Sequence, residues 1–279
     1  MCQFCTKHGA GKRWYLNERN LSIKVAKELG YEPWELDHWK IVDKFYGDAT
    51  KMLAGILDDP KMLEQSKKMY EQMIQKDTDP RRFPEGHTGQ VITLEEAKKI
   101  CEIAGDVYRC DCLCRKMHKN ERVNTCMPLG LHGEALEGYV DWAPNGVEKI
   151  SVEESKAYLD QLDEKGLVHT IAGTPVPIAF AMCNCEYPEC IAIRPRLDLG
   201  IKIFLKGHYV ASVNMDNCTG CGSCAMRCQF GAINIRPTVG RANINQFKCF
   251  GCGVCRAACP EKAITLIPRE DIPQLREEW

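Results

Sequence analysis

The residues able to do chemistry are cysteines, and they are most regular where they are densest. Cys218-x-x-Cys221-x-x-Cys224-x-x-x-Cys228 is followed by Cys249-x-x-Cys252-x-x-Cys255-x-x-x-Cys259-Pro260. Thiolates are soft ligands suited to zinc and to iron–sulfur clusters. A [4Fe–4S] cubane takes four of them, one at each corner of a tetrahedron. A tight loop with two-residue spacers supplies three, and the fourth must arrive from elsewhere in the chain. Zinc sites pair two Cys-x-x-Cys knuckles at wider separation. Two complete four-cysteine runs therefore point to two cubanes.

From roughly Val213 to Pro268 the chain resembles the bacterial two-[4Fe–4S] ferredoxin family. Gly220-Cys221-Gly222 and Gly251-Cys252-Gly253 match its loops, where glycine is expected to let the backbone approach the cluster. Gly231-Ala232-Ile233 and Lys262-Ala263-Ile264 match the starts of its closing strands. The resemblance implies that the last cysteine of each run serves the other cluster. Cluster one would use Cys218, Cys221, Cys224 and Cys259; cluster two would use Cys249, Cys252, Cys255 and Cys228. It also implies one-electron relay to or from a redox partner, such as a flavoprotein or a larger oxidoreductase complex. One residue departs from the pattern: Gln229 stands where the family usually has proline, which predicts a looser loop after Cys228.

Eighteen cysteines in all leave ten outside the two runs. Cys101 falls on the apolar face of a predicted helix and reads as a packing residue. Cys110-Asp111-Cys112-Leu113-Cys114 has Cys126 downstream, and Cys183-Asn184-Cys185 has Cys190 downstream. If the two Cys-x-Cys turns meet in space, four or more thiolates converge on a third metal site. A further [4Fe–4S] cluster is the expectation; zinc, a redox-active dithiol and unligated thiols stay open. Cys2-x-x-Cys5-x-x-His8 is a weaker donor set. With it, the spare thiols would suffice for two further clusters. Residues 105–260 are also similar to multi-cysteine ferredoxin-like proteins of anaerobes, through Cys112-x-Cys114-Arg115, Cys126, Gly166-Leu167-Val168-His169, Cys183-Asn184-Cys185 and Cys190. That likeness implies redox work with extra cluster ligands and an anaerobic setting.

The elements that must position these cysteines read as α+β. Residues 1–80 form a helical N-terminal region, with Leu21, Val25 and Leu29 at helical spacing and Pro60 opening a later helix. Residues 81–205 form an α/β cysteine-rich middle domain. Thr93-x-x-Glu96 and Ser151-x-x-Glu154 are capping boxes, predicting helices over Leu94–Ala104 and from Ser151 to about Glu164. Strands are expected at Val107–Arg109, Leu167–Ile171 and Ile178–Met182, so that helix, strand and Cys-x-Cys occur twice as a loose repeat. Residues 206–268 form the two-cluster domain, and residues 269–279 a charged tail, solvated or anchored through Trp279. His169 reads as a proton donor near the third site or as a backbone-bonded residue. Arg81, Arg82, Lys98, Lys99, Arg115, Lys116, His118, Lys119 and Arg122 make a basic stretch that steers an acidic partner or forms a solvated face.

Composition narrows the class. Lys+Arg is 37 and Asp+Glu is 38, a formal net charge of −1, which gives no basic footprint for nucleic acid. No apolar run is long enough to span a membrane, and no signal-peptide pattern opens the sequence. A cytoplasmic protein is the expectation, because thiols at close spacing in a reducing compartment bind metal rather than pair. No Gly-x-Gly-x-x-Gly or Gly-x-x-x-x-Gly-Lys-[Ser/Thr] motif appears, so nothing marks a nucleotide or flavin site in this chain. Three functions follow: an electron-transfer subunit, a reductase acting on a small molecule at the middle cluster, or a ferredoxin fused to a structural zinc module.

Overall fold

Two helices of the middle domain begin as their capping boxes require. Thr93 accepts from the backbone N–H of Glu96, whose carboxylate returns to the Thr93 N–H, and α2 (Leu94–Ala104) follows. Ser151 and Glu154 repeat the arrangement at α5 (Val152–Glu164). Each box satisfies N–H groups that a helix start leaves unpaired. The chain is described by a computed structural model over residues 11–21, 52, 55–76, 89–136, 146–173, 179–200, 202, 204–276 and 278. Cys2, Cys5, His8, Arg81, Arg82 and Trp279 lie outside the described residues, as does most of the N-terminal helical region. Within that region Pro60 opens α1 (Pro60–Lys76). The segment Gly11–Leu16 is a 3₁₀ helix that buries Trp14 and Tyr15 in the main core.

The middle domain is a seven-stranded sheet. Its strands are β1 (Gly89–Val91), β2 (Val107–Asp111), β3 (Asn124–Pro128), β4 (Glu148–Ile150), β5 (Val168–Gly173), β6 (Ala179–Cys185) and β7 (Phe204–Leu205). They stand in the order β4-β2-β3-β6-β5-β1-β7. The loose repeat in the sequence is visible here. Each half runs strand, capped helix, strand, strand: β1-α2-β2-β3, then β4-α5-β5-β6. Each half lends its first strand to the other, since β1 pairs with β5 and β4 pairs with β2. The halves meet where β3 pairs with β6, and there Cys126 lies opposite Cys183.

Successive side chains of a strand point to opposite faces, and this sheet uses its faces differently. Met127, Ile171 and Met182 face α2 and α5 in a core with Ile100, Cys101 and Leu159. Cys101 is thus a packing residue. The opposite face carries Cys126, Cys183, Cys185, Val168 and Val91. It is covered by α3 (Leu113–Lys119), by the loop leading to α6 (Arg194–Asp198), and by the C-terminal domain.

That domain has two small two-stranded sheets. β8 (Tyr209–Val213) pairs antiparallel with β11 (Ile264–Pro268), and β9 (Ile233–Arg236) with β10 (Arg241–Ile244). Short helices α7 (Ser223–Arg227) and α8 (Val254–Ala257) follow the two cysteine loops. Glycine is required at two equivalent places. A Cβ on Gly220 would sit 2.0 Å from the Gly240 carbonyl oxygen, and one on Gly251 2.0 Å from that of Tyr209, both at positive φ. These glycines clear a neighbouring backbone carbonyl within the domain, and Gly220 also lines the first cysteine cavity. The C-terminal stretch, largely exposed, is tied down at two residues. Arg269–Asp271 and Pro273–Leu275 form 3₁₀ turns, and Arg269 and Leu275 are each 1% exposed.

Candidate iron–sulfur sites

In the C-terminal domain the two cysteine runs exchange their last members. One pocket is lined by Cys218, Cys221, Cys224 and Cys259. A second is lined by Cys228, Cys249, Cys252 and Cys255. Backbone N–H groups point at sulfurs in matching fashion. Ala242 donates to Cys218 Sγ and Ala211 to Cys249 Sγ, each at 3.4 Å. Ala232 donates to Cys228 Sγ at 3.4 Å and Ala263 to Cys259 Sγ at 3.3 Å. Such bonds favour the thiolate form and raise a cluster's potential.

The two cavities differ in environment. Cys221 is exposed, whereas Cys249, Cys252 and Cys255 are buried. Burial raises the Cys252 thiol well above its ordinary value and the Cys255 thiol to about 12. Deprotonating these thiols without a compensating cation would be costly. A permanent cation stands beside Cys249: the Arg269 guanidinium offsets part of the rise that burial imposes on that thiol's pKa and donates to the carbonyl oxygens of Gly207 (2.9 Å), Tyr209 (3.1 Å) and Cys249 (2.9 Å). Its Nη1 has no hydrogen-bond partner among the described residues. The sequence offered no signal for this residue beyond one basic letter in a charged tail.

The middle domain brings six thiols into a closed ring. The Cys112 thiol feels those of Cys114 and Cys126 electrostatically, Cys114 that of Cys190, Cys126 that of Cys183, and Cys183 that of Cys185. Cys190 and Cys185 complete it with their sulfurs 3.2 Å apart. Local structure explains the arrangement. Cys183 and Cys185 are alternate residues of β6, so both sulfurs leave the same face; this Cys-x-Cys is a strand and not the expected turn. Cys112 caps α3 and Cys114 sits in its first turn. Hydrogen bonds from Cys114 and Cys126 pull the Cys112 thiol well below its ordinary value, and those from Cys126 and Cys185 bring Cys183 to about 7.

Cys110, expected in this set, is fully buried beside Cys126 on β2 and makes no sulfur bond in the ring. A register shift falls between Cys110, opposite Cys126, and Asp111, opposite Asn124, and the Cys112 N–H goes on to donate to the Val123 carbonyl at 2.8 Å. His169 is also elsewhere. It lies on the helix-facing side, its Nδ1 2.6 Å from Asn184 Oδ1 and its Nε2 3.7 Å from Asp163. Four residues of the basic stretch are paired: Arg115 with Glu186 and Glu121, Lys119 with Glu189, Lys98 with Asp160 and Lys99 with Glu102. Two of those partners, Glu186 and Glu189, belong to the loop between Cys185 and Cys190, so α3 and that loop are held together around the ring.

The ring and the second cavity adjoin. Cys185 and Cys190 share one apolar cluster with Val168, Phe250, Cys252 and Val254, and Phe250 stacks on Phe230 at 4.1 Å between centroids. Gln229 fastens the two domains here. Its Oε1 accepts from the Tyr187 N–H at 2.8 Å and its Nε2 donates to the Gly166 carbonyl at 2.7 Å. Arg227 adds a bond to the Glu164 carbonyl at 2.7 Å. The residue that breaks the ferredoxin pattern is therefore a docking residue, and its loop is held at both ends of the amide.

Among the described residues no three His, Cys, Asp or Glu side chains close on a single-ion position. That holds for the eight cysteines of the two cavities as well as for the ring. No helix among the described residues is long and apolar enough to cross a membrane. Residues 211–260 match the family model of the 4Fe-4S dicluster domain. Among curated proteins, none matches the chain.

Proposed function

We propose that this protein relays single electrons between a redox partner and a third iron–sulfur site in its middle domain, by way of two [4Fe–4S] clusters. The observation that carries the reading is the pair of cavities, each lined by three cysteines of one run and the last cysteine of the other. Cys218, Cys221, Cys224 and Cys259 hold cluster one; Cys249, Cys252, Cys255 and Cys228 hold cluster two. Each cubane, when bound, supplies one unit of electron capacity without bond making or breaking. The protein's residues do the rest. The exchanged cysteines fix the two sites in one small fold. The N–H donors of Ala211, Ala232, Ala242 and Ala263 stabilise negative sulfur. Exposed Cys221 gives a partner, a flavoprotein or larger oxidoreductase, its closest approach. Buried Cys252 faces inward, toward the ring. Cys112, Cys114, Cys126, Cys183, Cys185 and Cys190 are the donor set from which the third site draws its ligands.

Iron and acid-labile sulfide per chain, measured on anaerobically purified protein, test this. About twelve of each are expected, four per cubane. About eight would remove the third cluster and keep the relay domain. Fewer than about five after full reconstitution would overturn the reading.

A further inference from the structure

Six thiols close the ring, and a cubane takes four. We propose that Cys185 and Cys190 are the two it does not take, and that they form a redox-active dithiol reversibly oxidised to a disulfide. Cys112, Cys114, Cys126 and Cys183 are then the four ligands. The inference rests on the reading of the ring as an iron–sulfur site and narrows its ligand set.

Geometry separates the pair from the four. Cys185 and Cys190 stand 3.2 Å apart sulfur to sulfur, about one ångström more than a disulfide bond. The loop between them is a tight turn in which the Cys190 N–H bonds the Glu186 carbonyl at 2.8 Å. Arg115 and Lys119 of α3 pin that loop through Glu186 and Glu189, so the pair is held ready. Burial separates them too. Cys185 and Cys190 are 6% and 5% exposed, in the apolar cluster that includes Cys252, while Cys112, Cys114, Cys126 and Cys183 are each partly accessible. Those four are consecutive in the ring, from Cys114 through Cys112 and Cys126 to Cys183.

Oxidation joins the two sulfurs and breaks two S–H bonds, releasing two electrons and two protons; reduction reverses this. The electrons are exchanged singly with one-electron carriers of the iron–sulfur class, which the proposed function places on either side of the pair. Thr170 Oγ1, 3.6 Å from Cys185 Sγ, is a hydroxyl within reach of the departing proton. The pair thus converts one-electron traffic into a two-electron store. Its burial keeps it from exchanging directly with the thiols of another protein.

The test traps the thiols of the intact, metal-loaded protein. Samples oxidised with ferricyanide or reduced with dithionite are acid-quenched anaerobically with an alkylating agent and mapped by mass spectrometry. A Cys185–Cys190 linkage is expected in the oxidised sample and two alkylated cysteines in the reduced one. Cys185→Ser and Cys190→Ser are expected to keep the wild-type iron and sulfide. Each should take up two fewer electrons per chain in a reductive titration. Loss of about four iron from either variant with unchanged circular dichroism would show that the residue is a ligand and overturn the proposal. So would alkylation of both thiols in the oxidised wild type, which decides the matter even where a variant fails to fold. A wild-type count of about eight iron refutes the third cluster and leaves the trapping result to judge the dithiol by itself.

Discussion

Replacing Arg269 by methionine is expected to lower the potential of cluster two and leave cluster one unchanged. The guanidinium is 1% exposed and bonds the Cys249 carbonyl directly. Burial lowers its pKa, but an arginine begins so high that it keeps its charge. A reduced cubane carries one more negative charge than an oxidised one, so a fixed cation beside it favours reduction. At a separation on the order of 7 Å and an effective dielectric of about 20, that preference is about 2 kcal/mol. For a one-electron couple this is on the order of 100 mV. Methionine also strands the carbonyls of Gly207, Tyr209 and Cys249, each costing about 1–3 kcal/mol if left unpaired. Arg269→Lys is therefore the control. It keeps the charge and loses the three-pronged geometry, so it should lose stability while holding the potential near the wild type. Protein-film voltammetry reads the clusters as separate waves. One wave moving down by tens of millivolts in the methionine variant, and staying near its place in the lysine variant, is the expected result. A folded methionine variant with both waves unmoved would refute the electrostatic argument.

Other consequences are as direct. Gly251→Ala places a methyl group against the Tyr209 carbonyl at positive φ; it should cost more than about 3 kcal/mol and appear as lost iron on purification. Gln229→Ala removes both amide bonds between the domains. Faster hydrogen exchange at the Tyr187 N–H, with an unchanged iron count, is the outcome that fits a docking role. Cys110→Ala should retain all iron, because Cys110 lies outside the ring, whereas Cys126→Ala should lose about four; equal losses would put Cys110 back among the ligands. Burial lowers the pKa of His132 to about 4, so the folded state resists a proton that the unfolded chain accepts. Stability is then fully present above about pH 6.5 and falls by up to about 3 kcal/mol as pH drops toward 4. His132→Gln should flatten that dependence in denaturant titrations at pH 7 and pH 5.

The two cluster cavities were legible because their ligands are close in sequence and repeat with the same spacing. The ring was half legible. Two Cys-x-Cys pairs with downstream partners marked its members, but its closure depends on β3 pairing with β6, a long-range event without a local signature. Cys110 lies opposite Cys126 in the register, so spacing alone did not set it apart from Cys112 and Cys114. The face assignment of His169 needed the strand register, since Asn184 and not Cys183 lies opposite it. Gln229 read as an irregularity because its partners, Tyr187 and Gly166, are 42 and 63 residues away. Arg269 was invisible for a related reason. A buried cation looks the same in sequence as a solvated one until its three carbonyl partners are known.

The order of the sites follows from these placements. The first pocket has the exposed cysteine, the second the buried cation, and the six-thiol site the apolar contact with Cys252. A charge that stabilises the middle station makes it an electron sink relative to the outer one. The domains are joined where that stabilisation matters, because Gln229 follows Cys228, a cluster-two ligand in the exchanged arrangement, and holds the loop between Cys185 and Cys190. Loosening that joint would separate the ring from cluster two without touching any proposed ligand. In Gln229→Ala, reduction of the ring should slow relative to reduction of cluster two after rapid mixing with dithionite, at unchanged potentials. An unchanged ratio of the two rates would mean that electrons reach the ring by another route.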